Sequence, residues 1–493
     1  MRAQNPKQLL DWIDDEAAKF GSATTREYYL NHAGLKDDLD LAPIFRKHAK
    51  LFRRETANQL LKTKTKDQRL RNLREFVVGG YLERAARALT EQIAARETAD
   101  SVQWEGSGIP YRSVQQIVTN EADAARRREL DRRRLEVTAA QNPLREQRWD
   151  FLYKQTRDLG FESYVALCDT LGALDLQGLR KMMEGFLWDT EQPYRAALDR
   201  ELRGIDVDPA QAERADLLRV FRSPRFDDMF PQERMLPVLR ESLRALGIDV
   251  DNQPSVIVDA EERPHKSPRA FCAPVRIPDE IYLVISTHGG HDDYRALFHE
   301  AGHAQHFAHI AEDLPYAFQG EGDNSVTEGF AFVLEHLLYS PPWLKKHLGM
   351  TNQADYLRLV RFHKLYFLRR YAAKLLYELE MHQSDDVRAF RKRYADLLTT
   401  HVGVRYSSED YLADLDDGFY AARYLRAWIF EAQLRSVFTR RWGETWFEDE
   451  EAGRKLRELW SHGQRYSAVE LLRQLGEPEL DIAPLAADVV DLA

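Results

Sequence analysis

The chain has 493 residues, of which 44% are hydrophobic and 30% are charged, enough for a large core surrounded by solvated helix surfaces. Its formal net charge of −10 argues against nucleic acid as a partner, because proteins that bind nucleic acid carry clustered positive charge. The 2 cysteines provide no disulfide framework, which favours a reducing compartment. The sequence shows neither a signal-peptide core nor an apolar run of roughly 18–20 residues. We therefore expect a soluble cytoplasmic protein without a membrane partner.

Residues 1–249 are predicted to form an N-terminal helical lobe. Proline is absent between Pro43 and Pro110, and apolar residues recur there at steps of three and four positions, which is typical of amphipathic helices. The segment Trp104–Pro110 contains two glycines and ends in proline, so we expect a loop at that point.

Residues 250–493 are predicted to form a catalytic lobe that begins with a small β-sheet within 255–286. Prolines are frequent between Pro254 and Pro278, which excludes long helices there. Three short β-rich runs are expected to be its strands: Ser255–Asp259, Arg269–Ala273 and Ile281–Ser286.

The next segment contains a His-Glu-x-x-His pattern formed by His299, Glu300 and His303. On a helix, positions i and i+4 lie on the same face, so both imidazoles can bind one zinc ion. Glu300 is placed to act as a general base toward a water that the metal activates. The alternative is a surface helix that carries two histidines by chance.

A helix is predicted over residues 293–311, and Asp292 or Asp293 is expected to cap its N-terminus. His306 and His309 belong to the same helix. About 600° of helical rotation separates His309 from the second histidine of the motif, so it points away from the metal. Both are expected to be surface or packing residues.

A catalytic zinc usually has three protein ligands, and Glu328 is the best candidate for the third. It lies 25 residues after His303 (328 − 303), far enough to begin a second helix, predicted over residues 326–340. In the alternative interpretation, Ser325 and Glu328 form a capping box and the glutamate serves only its own helix end. The remaining candidate ligands are Glu321, Asp323 and Glu335.

These residues resemble the thimet oligopeptidase and oligoendopeptidase F family of zinc peptidases, which are of the gluzincin type. The resemblance covers roughly Arg269 to Phe332 and is carried by Ala270-Phe271-Cys272, by Gly289-Gly290 and by the run from Asp293 to His306. A weaker similarity to the angiotensin-converting-enzyme family lies in Asp313-Leu314-Pro315 and Arg423-Tyr424.

The resemblance implies a mainly α, two-lobed fold with a deep central channel, a single zinc ion at its floor and a small sheet beside the zinc helix. It also implies that the strand Arg269–Ala273 pairs with the substrate backbone. Tyr424, or Tyr420 one turn earlier, would stabilise the oxyanion of the reaction. A structural tyrosine that packs within its helix is the alternative.

The sequence departs from the family at Asp414, where a histidine is expected about ten residues before the tyrosine. An ionised aspartate cannot donate a hydrogen bond to an oxyanion. Three other residues are candidates for that role: Arg423, Arg426 and His401.

The sequence therefore predicts a zinc-dependent oligopeptidase that hydrolyses short unstructured peptides. Two alternatives stay open at this stage. One is a weak or inactive zinc-bearing scaffold that binds peptides, for which Asp414 is the support. The other is a carboxypeptidase or dipeptidase on the same fold. The sequence does not indicate an oligomeric state.

Overall fold

The computed structural model describes residues 5–222 and 224–490, so the ends of the predicted segments 1–249 and 250–493 lie outside it. The described chain is mainly α with small sheets, as expected. The first ten helices are α1 (Pro6–His32), α2 (Ala42–Lys47), α3 (Arg54–Lys62), α4 (Arg69–Ala99), α5 (Val114–Asn120), α6 (Ala124–Asp158), α7 (Tyr164–Gly172), α8 (Leu176–Asp189), α9 (Glu191–Arg203) and α10 (Arg214–Arg222).

Eleven further helices follow in the described chain. They are α11 (Met235–Ala245), α12 (His291–Ala308), α13 (Tyr316–Gln319), α14 (Asn324–Glu335), α15 (Pro341–Leu348), α16 (Ala354–Gln383), α17 (Arg391–Val402), α18 (Tyr420–Trp442), α19 (Glu450–Trp460), α20 (Ala468–Gln474) and α21 (Ala483–Val490). None of the helices in the described ranges is long and apolar enough to cross a membrane.

Five strands form two sheets in the described chain: β1 (Ser101–Trp104), β2 (Ser107–Pro110), β3 (Val256–Asp259), β4 (Phe271–Arg276) and β5 (Glu280–Val284). Strands β1 and β2 pair antiparallel, so the expectation of a loop at Trp104–Pro110 is wrong. Gly106, at φ +83°, lies in the tight turn between them. In the second sheet the strand order is β3-β5-β4, with β3 parallel and β4 antiparallel to β5.

The chain divides into two compact units. The first unit contains Met1–Tyr81, Pro224–Leu357 and Arg426–Leu485, and the second contains Leu82–Ser223, Arg358–Leu425 and Ala486–Ala493. The expected division after residue 249 falls inside a segment of the first unit. That division, the two lobes and the central channel stay predictions.

Within the first unit, α12 and α14 approach each other closely at Gly302. A Cβ atom at Gly302 would lie 2.5 Å from Cα of Ala331 and 3.0 Å from the carbonyl oxygen of Phe330. Such distances are too short for any side chain larger than hydrogen. Gly302 therefore allows backbone-to-backbone contact between the two helices in the middle of the His-Glu-x-x-His motif.

The N-terminus of α12 differs from the expectation. Gly290, at φ +86°, is the N-cap of α12, whereas Asp293 accepts a hydrogen bond from the backbone N–H of His288 at 2.9 Å. The prediction that Asp292 or Asp293 is the cap is therefore wrong, because both lie within the first turn. Their negative charge still lies at the positive end of the helix dipole.

Candidate metal centre

The centre of the site is a group of three side chains from two helices. Helix α12 carries His299 and His303, and α14 carries Glu328. The ligand atoms of the three residues all lie within 4.8 Å of one another. In the described ranges, 5–222 and 224–490, no other three His, Cys, Asp or Glu side chains approach one another this closely.

The spacing of this group fits a metal ion. Oε2 of Glu328 lies 3.3 Å from Nε2 of His299 and 3.7 Å from Nε2 of His303. A tetrahedral zinc with bonds of about 2.0–2.1 Å separates its ligand atoms by roughly 3.3 Å. Two imidazoles and one carboxylate also form the ligand set of known catalytic zinc sites. The three residues are therefore a candidate metal site.

Glu335, one of the alternative ligands, lies on the far side of His299 instead. Its Oε2 is 2.9 Å from Nδ1 of His299. Its Oε1 accepts a hydrogen bond from the hydroxyl of Tyr339 at 3.1 Å and lies 3.7 Å from the guanidinium of Arg295. Although burial opposes its ionisation, His299 and Arg295 lower the pKa of Glu335 to about 2. The ionised carboxylate therefore holds a proton on Nδ1 of His299, so that Nε2 is the nitrogen available to a metal.

His303 has a neutral partner. Its Nδ1 lies 3.0 Å from Oγ1 of Thr327, the residue immediately before Glu328. If Nδ1 carries the proton, it donates a hydrogen bond to the Thr327 hydroxyl, and Nε2 is left for a metal. Helix α14 therefore provides Glu328 and a partner for each imidazole, Thr327 and Glu335.

The pKa values of the two imidazoles differ in the absence of a metal. Burial lowers the pKa of His299, but Glu328 and Glu335 outweigh this effect and raise it to about 10. Burial also lowers the pKa of His303, to about 4. A metal that binds here must displace the proton of His299, so its affinity falls as the pH is lowered.

Glu300 lies beside this group and contacts the sheet. Its Oε2 accepts a hydrogen bond from the backbone N–H of Cys272 on β4 at 2.9 Å. Burial raises the pKa of Glu300 to about 7 despite the nearby His299. A half-buried carboxylate next to the candidate ligands, fixed by one backbone hydrogen bond, has the position expected of a general base.

The capping-box interpretation of Glu328 is wrong. Asp323 is the N-cap of α14, and its Oδ1 accepts a hydrogen bond from the N–H of Ser325 at 3.0 Å. Its Oδ2 accepts a second hydrogen bond, from Ala468, at 3.2 Å. Asp323 is thus a structural residue, and Glu321 and Glu335 also lie outside the group of three candidate ligands.

His306 and His309 are packing residues rather than ligands, as expected. The ring of His306 is fully buried and lies 4.9 Å from that of Phe330. Helix α12 ends before His309, whose Nδ1 lies 2.8 Å from the carbonyl oxygen of Gln305 and whose ring packs 5.5 Å from Trp460.

The two candidate oxyanion tyrosines lie in the second unit, at the start of α18. The ring centroids of Tyr420 and Tyr424 are 4.7 Å apart, and Tyr424 stacks on Tyr371 of α16 at 5.6 Å. Both tyrosines are partly exposed. Their role in catalysis stays a prediction.

Asp414 belongs to a half-buried ionic cluster of the second unit. It forms an ion pair with Arg370, accepts a hydrogen bond from the hydroxyl of Tyr394 at 2.8 Å and lies 3.8 Å from Nζ of Lys374. Burial opposes its ionisation, but Arg370 and Lys374 lower the pKa of Asp414 to about 2. Its negative charge is therefore compensated within the cluster, by partners that no sequence pattern indicates.

Comparisons with known proteins provide no assignment. No protein-family model matches this sequence, and no curated protein matches it.

Proposed function

We propose that this protein is a zinc-dependent peptidase that hydrolyses short, unstructured peptides. The observation that supports the proposal most strongly is the arrangement of His299, His303 and Glu328 with the half-buried carboxylate of Glu300 beside them. The combination matters because a structural zinc site needs no neighbouring base, whereas hydrolysis does.

The three ligands would hold the metal, and zinc bound there would supply a Lewis acid that activates water and polarises the scissile carbonyl. Glu300 accepts the proton of the attacking water and later passes it to the departing amine. Cys272 fixes one oxygen of Glu300 through its N–H, which leaves the other oxygen for proton transfer.

The supporting residues keep the imidazoles in one orientation. Glu335 and Thr327 contact the Nδ1 atoms of His299 and His303, so neither ring can rotate without losing a partner. In this proposal Tyr424, or Tyr420, donates a hydrogen bond to the oxyanion. Asp414 takes no part in that step because it cannot donate when ionised.

The test is a comparison of Glu300→Gln with the wild type, with Glu312→Gln as the control at an exposed glutamate. We expect Glu300→Gln to bind one zinc ion per chain and to lose about 10²–10⁴-fold in kcat/KM toward a quenched-fluorescence peptide library. Glu312→Gln should behave like the wild type. Full activity of Glu300→Gln would rule out this base, and zinc binding without peptide turnover by the wild type would favour the inactive scaffold.

A further inference from the structure

The free side of strand β4 has an unusual set of backbone groups. Because the strand order is β3-β5-β4, only one side of β4 pairs within the sheet. In an antiparallel pair, successive residues turn their N–H and C=O groups alternately toward the partner strand and away from it. The N–H of Cys272 donates to Glu300 on α12, so the peptide groups of residue 272 face away from β5.

Pro274 lies two residues further along, so its peptide groups face the same free side. Proline has no N–H and is tolerated in sheets where its nitrogen faces such a side. A peptide that lies along β4 therefore finds the carbonyl oxygens of Cys272 and Pro274 as acceptors. It finds no free donor, because the N–H of Cys272 is engaged by Glu300 and Pro274 has none. The register between β4 and β5 also shifts between Pro274 and Arg276, so regular pairing ends at the same place.

The rest of β4 is fixed against the core of the first unit. Ala273 and Val275 are buried in a cluster with Tyr29 of α1 and with Ala33, the residue that follows α1. The strand edge is thus already in place before any substrate arrives, and its hydrogen-bonding pattern is a fixed property of the site.

We propose that Pro274 is a specificity-determining residue, which ends the stretch of β4 along which a substrate backbone can form hydrogen bonds. This inference rests on the proposed function. The class of substrate that follows is a short peptide, recognised through its main chain beside Cys272, that gains no backbone hydrogen bond from residues extending past Pro274. An additional substrate residue at that position finds no N–H donor and lies beside an irregular part of the strand.

The test measures peptides lengthened one residue at a time from either terminus. For the zinc-loaded wild type we expect kcat/KM to stop rising with length at one terminus. In Pro274→Ala the new N–H should extend the rise, with a gain of about 2- to 10-fold for the longer peptides. Pro341→Ala, at the first turn of α15, is the control and should retain the wild-type profile.

Two results would overturn the inference while leaving the proposed function intact. One is a length profile that is the same in the wild type and Pro274→Ala. The other is a kcat/KM of the wild type that keeps rising with peptide length at both termini. Failure of the proposed function looks different, because the zinc-loaded wild type would then cleave no peptide of any length.

Discussion

Oε2 of Glu335 lies 2.9 Å from Nδ1 of His299, on the opposite side of the ring from Glu328. The carboxylate therefore orients a candidate metal ligand and lies outside the group of three itself. Removing such a partner typically lowers metal affinity about 10- to 100-fold, because the imidazole loses its fixed tautomer and part of its basicity.

We accordingly expect Glu335→Ala to lower zinc affinity by that factor, and Glu335→Gln to lower it less, since an amide oxygen still accepts from Nδ1–H. Competition with a zinc-binding dye measures both. Glu312→Gln should leave zinc affinity unchanged. Wild-type affinity in Glu335→Ala would show that the contact does not orient His299.

Gly302 sets the distance between the two helices that carry the ligands. A Cβ atom there would lie 2.5 Å from Cα of Ala331. Gly302→Ala should therefore push α14 away, lower the free energy of unfolding by about 1–3 kcal/mol and weaken zinc binding.

The matched control for this substitution is Gly185→Ala. Gly185 is a helical glycine of α8 with no atom within 4 Å of an added Cβ. Since alanine is a better helix former, we expect Gly185→Ala to stabilise the protein by about 0.5–1 kcal/mol and to leave zinc binding unchanged. Denaturant unfolding measures the stability of both variants, and zinc titration measures their affinity for the metal. Equal stability and equal zinc affinity of the two variants would contradict the packing argument.

Glu378 makes stability depend on pH in an unusual direction. It is fully buried on α16, and neither carboxylate oxygen has a hydrogen-bond partner among the described residues. Burial raises the pKa of Glu378 to about 8, although Lys374 opposes the rise. Between its ordinary value of 4.5 and about 8, the folded state keeps a proton that the unfolded state loses. Stability contributed by this group is therefore present below pH 4.5 and is lost as the pH rises toward 8.

Glu378→Gln removes this titration. We expect the variant to gain stability relative to the wild type as the pH rises, by up to roughly 3 kcal/mol at pH 7. Denaturant unfolding of both proteins at pH 5, 7 and 8 measures the difference. Glu184→Gln, at an exposed position of α8, is the control. A difference between wild type and Glu378→Gln that does not change with pH would contradict the prediction.

Tyr424 is expected to act only in the chemical step. If its hydroxyl stabilises the oxyanion, Tyr424→Phe should lower kcat about 10²–10³-fold without changing zinc content, and Tyr420→Phe should have a smaller effect. Steady-state kinetics on one cleaved peptide compare the two variants. A larger loss of kcat in Tyr420→Phe than in Tyr424→Phe would show that Tyr420 is the oxyanion donor. A wild-type kcat in both variants would show that the two tyrosines are packing residues only.

The sequence predicted the parts of the site that depend on local geometry. His299 and His303 follow from the spacing of residues on one helix, because four positions bring side chains onto one face. Glu328 followed from its distance along the chain to the second histidine. The mainly helical fold and the small sheet followed from hydrophobic periodicity and the position of prolines.

The roles that depend on packing between distant segments were not predicted. Glu335 was interpreted as an alternative ligand, and the contact of Thr327 with His303 was missed, because both roles depend on how closely α14 approaches α12. The cap at Asp323 was not predicted either, because a capping box that begins at Ser325 fits the local sequence equally well. Nothing local reveals that Arg370, 44 residues before Asp414 (414 − 370), compensates its charge.

The most direct test of the central claim is anomalous diffraction at the zinc absorption edge from crystals of the zinc-loaded protein. We expect one peak per chain, within about 2.0–2.2 Å of Nε2 of His299, Nε2 of His303 and a carboxylate oxygen of Glu328. A peak at other residues, or no peak in a protein that cleaves peptides, would contradict the account.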